Sequence, residues 1–201
     1  TTLLKMLLGF YTPVTGEILV GDVPLSAYSM KFWRTITGAV MQDGFIFPDT
    51  IARNIAPAAE TVDEQKLIRA AGIANIREFI ESLPLGYNTK IGANGHGLSE
   101  GQKQRLLIAR VIYKDPEILI FDEATNSLDA NNEKAIVENL AAYLKGKTVI
   151  IVAHRLSTVR NADKIIVLEK GRIAETGTHD TLIENRGAYF NLIKNQLELG
   201  S

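Results

Sequence analysis

Cysteine is missing from this sequence, so no disulfide braces the fold and no thiolate holds a metal. That is compatible with a reducing compartment. Long apolar runs are missing too. The longest, such as Thr148 to Ala153 and Ile118 to Phe121, fall far short of the ~20 residues that a membrane-spanning helix needs, so the chain is expected to be soluble by itself. The N-terminal TTLLKMLLG has neither the basic start nor the apolar core of a secretory signal and reads as a helix already under way. Nor does one sign of charge dominate. The 22 basic and 23 acidic residues leave a formal net charge of -1, which offers no basic footprint for nucleic acid. What is present is 201 residues, 46% of them hydrophobic. A chain of that length supports one substantial core that buries roughly 70% of its unfolded surface.

Thr1 to Leu8 is rich in helix formers and meets a stop at Gly9. Glu17 to Val20 and Ile36 to Met41 are short apolar runs that read as buried strands, with a short helix over Ser29 to Arg34 between them. From about Thr50 to Tyr113 the texture is helices and loops. Ile76, Phe79, Ile80 and Leu83 share one helical face, and Leu67, Ile68 and Ala71 suggest another. After the Gly-rich stretch Gly92 to Gly97, Ser99-Glu100-Gly101-Gln102 has the spacing of a capping box. A helix therefore starts at Ser99, turns apolar from Leu106 to Ile112, and stops before Pro116. Beyond it strand and helix patterns alternate: Ile118 to Phe121, Asn132 to Leu144, Thr148 to Val152, Leu156 to Arg160, Ile165 to Leu168. This alternation predicts an α/β fold with a mainly parallel sheet. Arg172 to Glu175 suggests an edge strand, and helices near His179 to Glu184 and Ala188 to Leu199 close the chain. His96 and His179 read as ordinary surface residues.

The strongest local signal is ILIFDEATNSLD, Ile118 to Asp129, where four apolar residues run into two adjacent carboxylates. A buried parallel strand that ends in acids brings them to the carboxyl edge of the sheet, where such folds bind ligands. Asp122 and Glu123 alone would read as solvated acids at a strand end. LSEGQ, Leu98 to Gln102, sits at a helix start, where free N–H groups and the helix dipole favour an anion. Alone it would read as a capped helix.

In their order, LSEGQ, KQRLLIAR and then ILIFDEA resemble the signature of the ATP-binding cassette ATPases, and the resemblance covers essentially the whole chain. It implies a P-loop NTPase with a RecA-like core at 1–49 and 114–201 and an inserted helical signature subdomain at 50–113. ATP and Mg2+ are the implied ligands. Thr1 matches the hydroxyl residue that ligates magnesium, and Thr2 would lie beside the α-phosphate. Gln42, ending TGAVMQ, matches the glutamine that touches magnesium or the attacking water. Asp122 matches the acid that holds magnesium through water, Glu123 the catalytic base, and His154 the switch histidine on the γ-phosphate. Ser99 and Gly101, with Gln102 beside them, match the signature that closes over ATP held by a second subunit. Asp129 matches an acid at the same interface. A homodimer of two antiparallel copies is the expectation.

Gly44 to Ile55, GFIFPDTIARNI, resembles the exporter form of the family, in which this region receives the transmembrane domains. Packing of the same loop between lobes is a compatible reading. NGHGLSEGQKQRLLIAR, FDEATNSLDANNEK and KNQLELG resemble bacterial exporters with a peptidase domain, which implies peptide or bacteriocin cargo and a place at the cytoplasmic face of the cell membrane. A soluble, non-transport cassette and a degenerate one that holds ATP without turnover are the alternatives. Two features depart from the pattern. Ala93 stands where exporters often carry Glu before the signature. The glycines and lysine of GxxGxGK, the aromatic residue that stacks on adenine and an antiparallel β part would lie before Thr1. A chain that begins there is expected to hydrolyse ATP negligibly.

Overall fold

The computed structural model describes residues 1–92, 95, 97–122, 136, 139–153 and 159–199, with the backbone alone for 196–199. Glu123, Asp129, His154, Ala93 and His96 lie outside the described residues, as do most of 132–144 before Asn139 and most of 156–160. Two compact units divide the chain, Thr1–Ile150 and Ile151–Ser201.

The first unit opens with α1 (Thr2–Leu7), anchored by Leu4, which is 1% exposed. Gly9 ends it at φ +75, and a side chain there would also meet Met30 Sδ at 2.7 Å. Glu17 to Val20 is not the buried strand its apolar residues suggest. Leu19–Val20 forms a two-residue strand, β1, paired antiparallel with β2 (Val23–Pro24), and Leu19 is 52% exposed. Two strands this short have little face to cover, so Leu19 and Val23 stay exposed and Val20 is only half-buried. Helix α2 (Met30–Ile36) then buries Trp33, whose indole Nε1 donates to Leu7 O at 3.0 Å and so satisfies a carbonyl at the end of α1.

The parallel pair expected from the apolar runs is present. Strand β3 (Thr37–Val40) pairs in parallel with β4 (Ile118–Asp122), Thr37 opposite Ile118 and Val40 opposite Phe121, and β5 (Thr148–Val152) lies on the other side of β4. Continuous apolar character fits strands covered on both faces. Val40, Leu119 and Ile120 are all within 1% of complete burial.

Between β3 and β4 run α3 (Ile51–Ile55), α4 (Glu64–Ile73), α5 (Arg77–Ser82) and α6 (Glu100–Lys114). Helix α6 buries Leu106, Leu107, Ile108, Ala109, Val111 and Ile112, as its apolar second half predicts. It runs antiparallel to β3. Lys114 Nζ donates to Thr37 O at 2.7 Å and also to Arg34 O, and a side chain at Gly38 would strike Val111 Cγ1 at 2.8 Å. Farther along, Leu107 fills the space a side chain at Gly44 would need. Asp115, at φ +57, ends the helix. Its carboxylate accepts from Lys147 Nζ at 2.9 Å and Tyr143 Oη at 3.1 Å, and the lysine bond holds its pKa below the ordinary range.

In the second unit Ile165 to Leu168 departs from the parallel pattern. Strand β6 (Ile165–Glu169) pairs antiparallel with β7 (Arg172–Gly177) in a two-stranded sheet. The reason is the link between them. Lys170 and Gly171 both have positive φ, 49 and 76, and a two-residue turn of that kind joins antiparallel strands. Ile165 and Val167 face a small core with Leu182 of α7 (His179–Asn185) and Tyr189 and Ile193 of α8 (Ala188–Leu199). Glu175 of β7 accepts from Tyr189 N at 2.7 Å and ties the start of α8 to the hairpin. His179 is not simply a surface residue: it is half-buried, with Nδ1 2.9 Å from Tyr189 Oη.

Ile108 is 0% exposed at the centre of the first core. Ile108→Ala is expected to lower the unfolding free energy by about 2–5 kcal/mol, the range for emptying such a site, as read from urea denaturation. A loss below about 1 kcal/mol would mean that α6 does not carry the core as described.

Candidate functional site

At the carboxyl edge of β4 the first residue of the chain meets the last residue of the strand. Asp122 is the last residue of β4 and 2% exposed, and its Oδ2 accepts from Thr1 Oγ1 at 2.9 Å across 121 positions of sequence. Thr1 stands at the head of α1 and makes no side-chain cap there, so its hydroxyl is given to Asp122. Leu4 in the core and Trp33 on the last carbonyls of α1 hold that helix in place. Thr2, the first residue of α1, is exposed.

Gln42 reaches the same edge. Strand β3 ends at Val40, level with Phe121, so Met41 stands level with Asp122 and Gln42 one position beyond, in an exposed turn. The glutamine therefore follows the strand and does not close it. Ser99, Gly101 and Gln102 sit elsewhere, at the start of α6. The capping box is formed in full: Ser99 Oγ accepts from Gln102 N at 3.2 Å, and Gln102 Oε1 accepts from Ser99 N at 2.9 Å. Ser99 is exposed and Gly101 half-buried. Helix α6 passes Gly44 at Leu107 and continues eight residues to Ser99, about 12 Å at 1.5 Å per residue. Among the described residues no hydrogen bond joins Ser99, Gly101 or Gln102 to the Thr1–Asp122 pair. The site residues thus fall into two groups, one at the sheet edge and one at a helix end that projects past it.

Two residues outside the sequence-based set also stand out, Arg110 and Asn54. Asn54 is 0% exposed, and Arg110 is a cation inside the apolar stretch LLIARVI, a signal that the sequence carries but that no motif marks.

The model of the ABC transporter family matches residues 1–126. This chain belongs to the ABC transporter family. Among its relatives, ABC transporter B family member 13 of Arabidopsis thaliana is 44% identical over 98% of this chain and 16% of its own length. The exotoxin translocation ATP-binding protein PaxB of Pasteurella aerogenes is 45% identical over 98% and 28%. The ATP-dependent lipid A-core flippase of Alkalilimnicola ehrlichii is 46% identical over 96% and 33%. The structure of a bacterial Atm1-family ABC exporter with ATP bound superposes with a TM-score of 0.92 at 40% identity, covering 97% of this chain and 34% of that one. The fold is therefore that of an ABC exporter's P-loop NTPase domain. The chain spans 16–34% of the length of these proteins. No helix among the described residues is long and apolar enough to cross a membrane.

Replacing Ser99 separates the cap from the rest of the site. Ser99→Ala is expected to remove about 1 kcal/mol of helix-end stability, giving roughly fivefold faster amide exchange at Gln102. Exchange that does not change would contradict the capping role.

Proposed function

We propose that this chain is the ATP-binding and ATP-hydrolysing domain of an ABC exporter, working in a pair with a second copy. The observation that carries this reading is the Thr1–Asp122 hydrogen bond at the sheet edge. The donor set fits magnesium. A hydroxyl and a carboxylate are hard oxygen ligands, and Mg2+ is usually held by one or two protein oxygens together with phosphates and water. Asp122 is also almost wholly buried, and among the described residues its hydrogen-bond donor is a neutral hydroxyl, a costly arrangement for a carboxylate that a cation would relieve. When bound, the ion would neutralise charge on the β- and γ-phosphates.

In this reading Thr1 and Asp122 hold the ion, Thr2 lies beside the α-phosphate, and Gln42 reaches the ion or the water from the turn after β3. Glu123 takes the proton of the water whose oxygen attacks the γ-phosphorus, as the bond to the β–γ bridging oxygen breaks. General-base help of this kind is worth about 10²- to 10⁴-fold in rate. His154 holds the γ-phosphate. Ser99 and Gly101, with Gln102 fixing their helix start, complete the site of the second copy, and Asp129 serves the same interface. The projection of α6 past the sheet edge supports that division, since a helix end so far from Asp122 is free to meet a partner. Residues 1–49 and 114–201 then form the RecA-like core and 50–113 the helical subdomain.

The membrane partner is received by Gly44 to Ile55. Phe45 and Phe47 are 64% and 41% exposed and meet edge to face at 5.3 Å, an aromatic pair available to a neighbour. This sets the domain at the cytoplasmic face of a bacterial cell membrane. Peptide cargo rests on the resemblance of NGHGLSEGQKQRLLIAR and FDEATNSLDANNEK alone. Relatives of similar identity are named for a toxin and for lipid A core, so residues outside this chain choose what is carried.

Glu123→Gln in the full-length protein is expected to cut ATP hydrolysis at least about 10²-fold. It should also trap an ATP-dependent closed pair, visible by size-exclusion chromatography of the detergent-solubilised protein or by cross-linking between copies. Phosphate release at the wild-type rate would sink the assignment of the base.

A further inference from the structure

Arg110 occupies the most buried stretch of α6, between Ala109 and Val111, where a charge is costly unless its donors are used. They are used on α3 and on the loop that leads into it. Nε donates to Asn54 O at 2.7 Å, Nη1 to Phe45 O at 2.9 Å and Nη2 to Asn54 Oδ1 at 3.3 Å, while the guanidinium lies 5.1 Å from the centre of the Phe47 ring. No carboxylate pairs with it among the described residues. Asn54 continues the grip from below: its Oδ1 accepts from Phe47 N at 2.8 Å, and its Nδ2 donates to Phe47 O at 2.9 Å and Thr50 O at 3.0 Å. Together the two side chains hold the backbone on both sides of Pro48, in the loop that presents Phe45 and Phe47.

We propose that Arg110 is a positioning residue that locks the 45–50 loop to α6, so that movement of the α6 start at Ser99–Gly101 reaches the aromatic pair as motion of one body. Helix α6 is unbroken from Glu100 to Lys114, so it links the two without a hinge. A lysine at 110 would keep the charge but lack the fork that reaches Phe45 O, Asn54 O and Asn54 Oδ1 together. The inference rests on the reading above in one respect, that nucleotide is what moves Ser99–Gly101.

The test is hydrogen–deuterium exchange on the full-length protein carrying this chain, with Arg110→Ala and Arg110→Lys compared with wild type, without nucleotide and with ATP. Without nucleotide, both variants are expected to exchange the Phe47 amide roughly tenfold faster, because its acceptor, Asn54 Oδ1, loses the Arg110 Nη2 bond that holds it in place. The amides of α4 and of the middle of α6 should keep their protection, which separates a freed loop from a damaged fold. With ATP, 45–50 should follow 98–103 in the wild type and cease to follow it in both variants. Unchanged exchange at Phe47 in Arg110→Lys overturns the lock, and a retained ATP response of 45–50 in both variants overturns the coupling. Absence of any ATP response at 98–103 in the wild type would overturn the coupling together with the nucleotide reading, leaving the Phe47 exchange to decide the lock alone.

Discussion

The burial of α6 constrains nearly everything else in the first unit. Six apolar side chains of this helix enter the core, and its contacts with Gly38 and Gly44 leave no room for a side chain at either glycine. Such close approach fixes the helix along β3 in one register, with Lys114 at the start of the strand and Leu107 past its end. Two consequences follow from that register. The capped start of α6 projects beyond the sheet edge, and Arg110 is carried to the loop that follows Gln42.

The chemistry at the sheet edge depends on a second long-range meeting. Thr1 and Asp122 are brought within 2.9 Å because α1 is anchored by Leu4 and closed by Trp33, while β4 delivers Asp122 to the end of the parallel pair. A hydroxyl and a buried carboxylate form an oxygen site of the kind that suits a hard cation. The signature residues do not join it within one copy. The proposed two-copy arrangement would reconcile the separation with a single reaction, and it would make association depend on the ligand held between the copies.

Much of this was legible in the sequence, for physical reasons. The Ser99 capping box is a local device whose four residues contain all its hydrogen-bond partners, and it forms as its spacing predicts. The buried pair β3 and β4 was legible because strands covered on both faces are apolar throughout. Other features were not local. Glu17 to Val20 has strand-like composition, but its burial depends on a covering layer that composition cannot report. Ile165 to Leu168 read as a parallel strand until the Lys170–Gly171 turn, with two positive φ angles, joined it to β7. The roles of Arg110 and Asn54 were hidden because their partners are mostly backbone carbonyls, which carry no mark in the sequence.

The central claim is that nucleotide is shared between the sheet edge of one copy and the α6 start of another. Its most direct test is a crystal structure of the full-length protein with Mn2+ and a non-hydrolysable ATP analogue, the metal located by anomalous scattering. Mn2+ is expected on the Thr1 hydroxyl beside Asp122, with the terminal phosphate against Ser99 and Gly101 of a second copy. Metal bound away from Thr1 and Asp122, or a terminal phosphate held by Ser99 of the same copy, would contradict it.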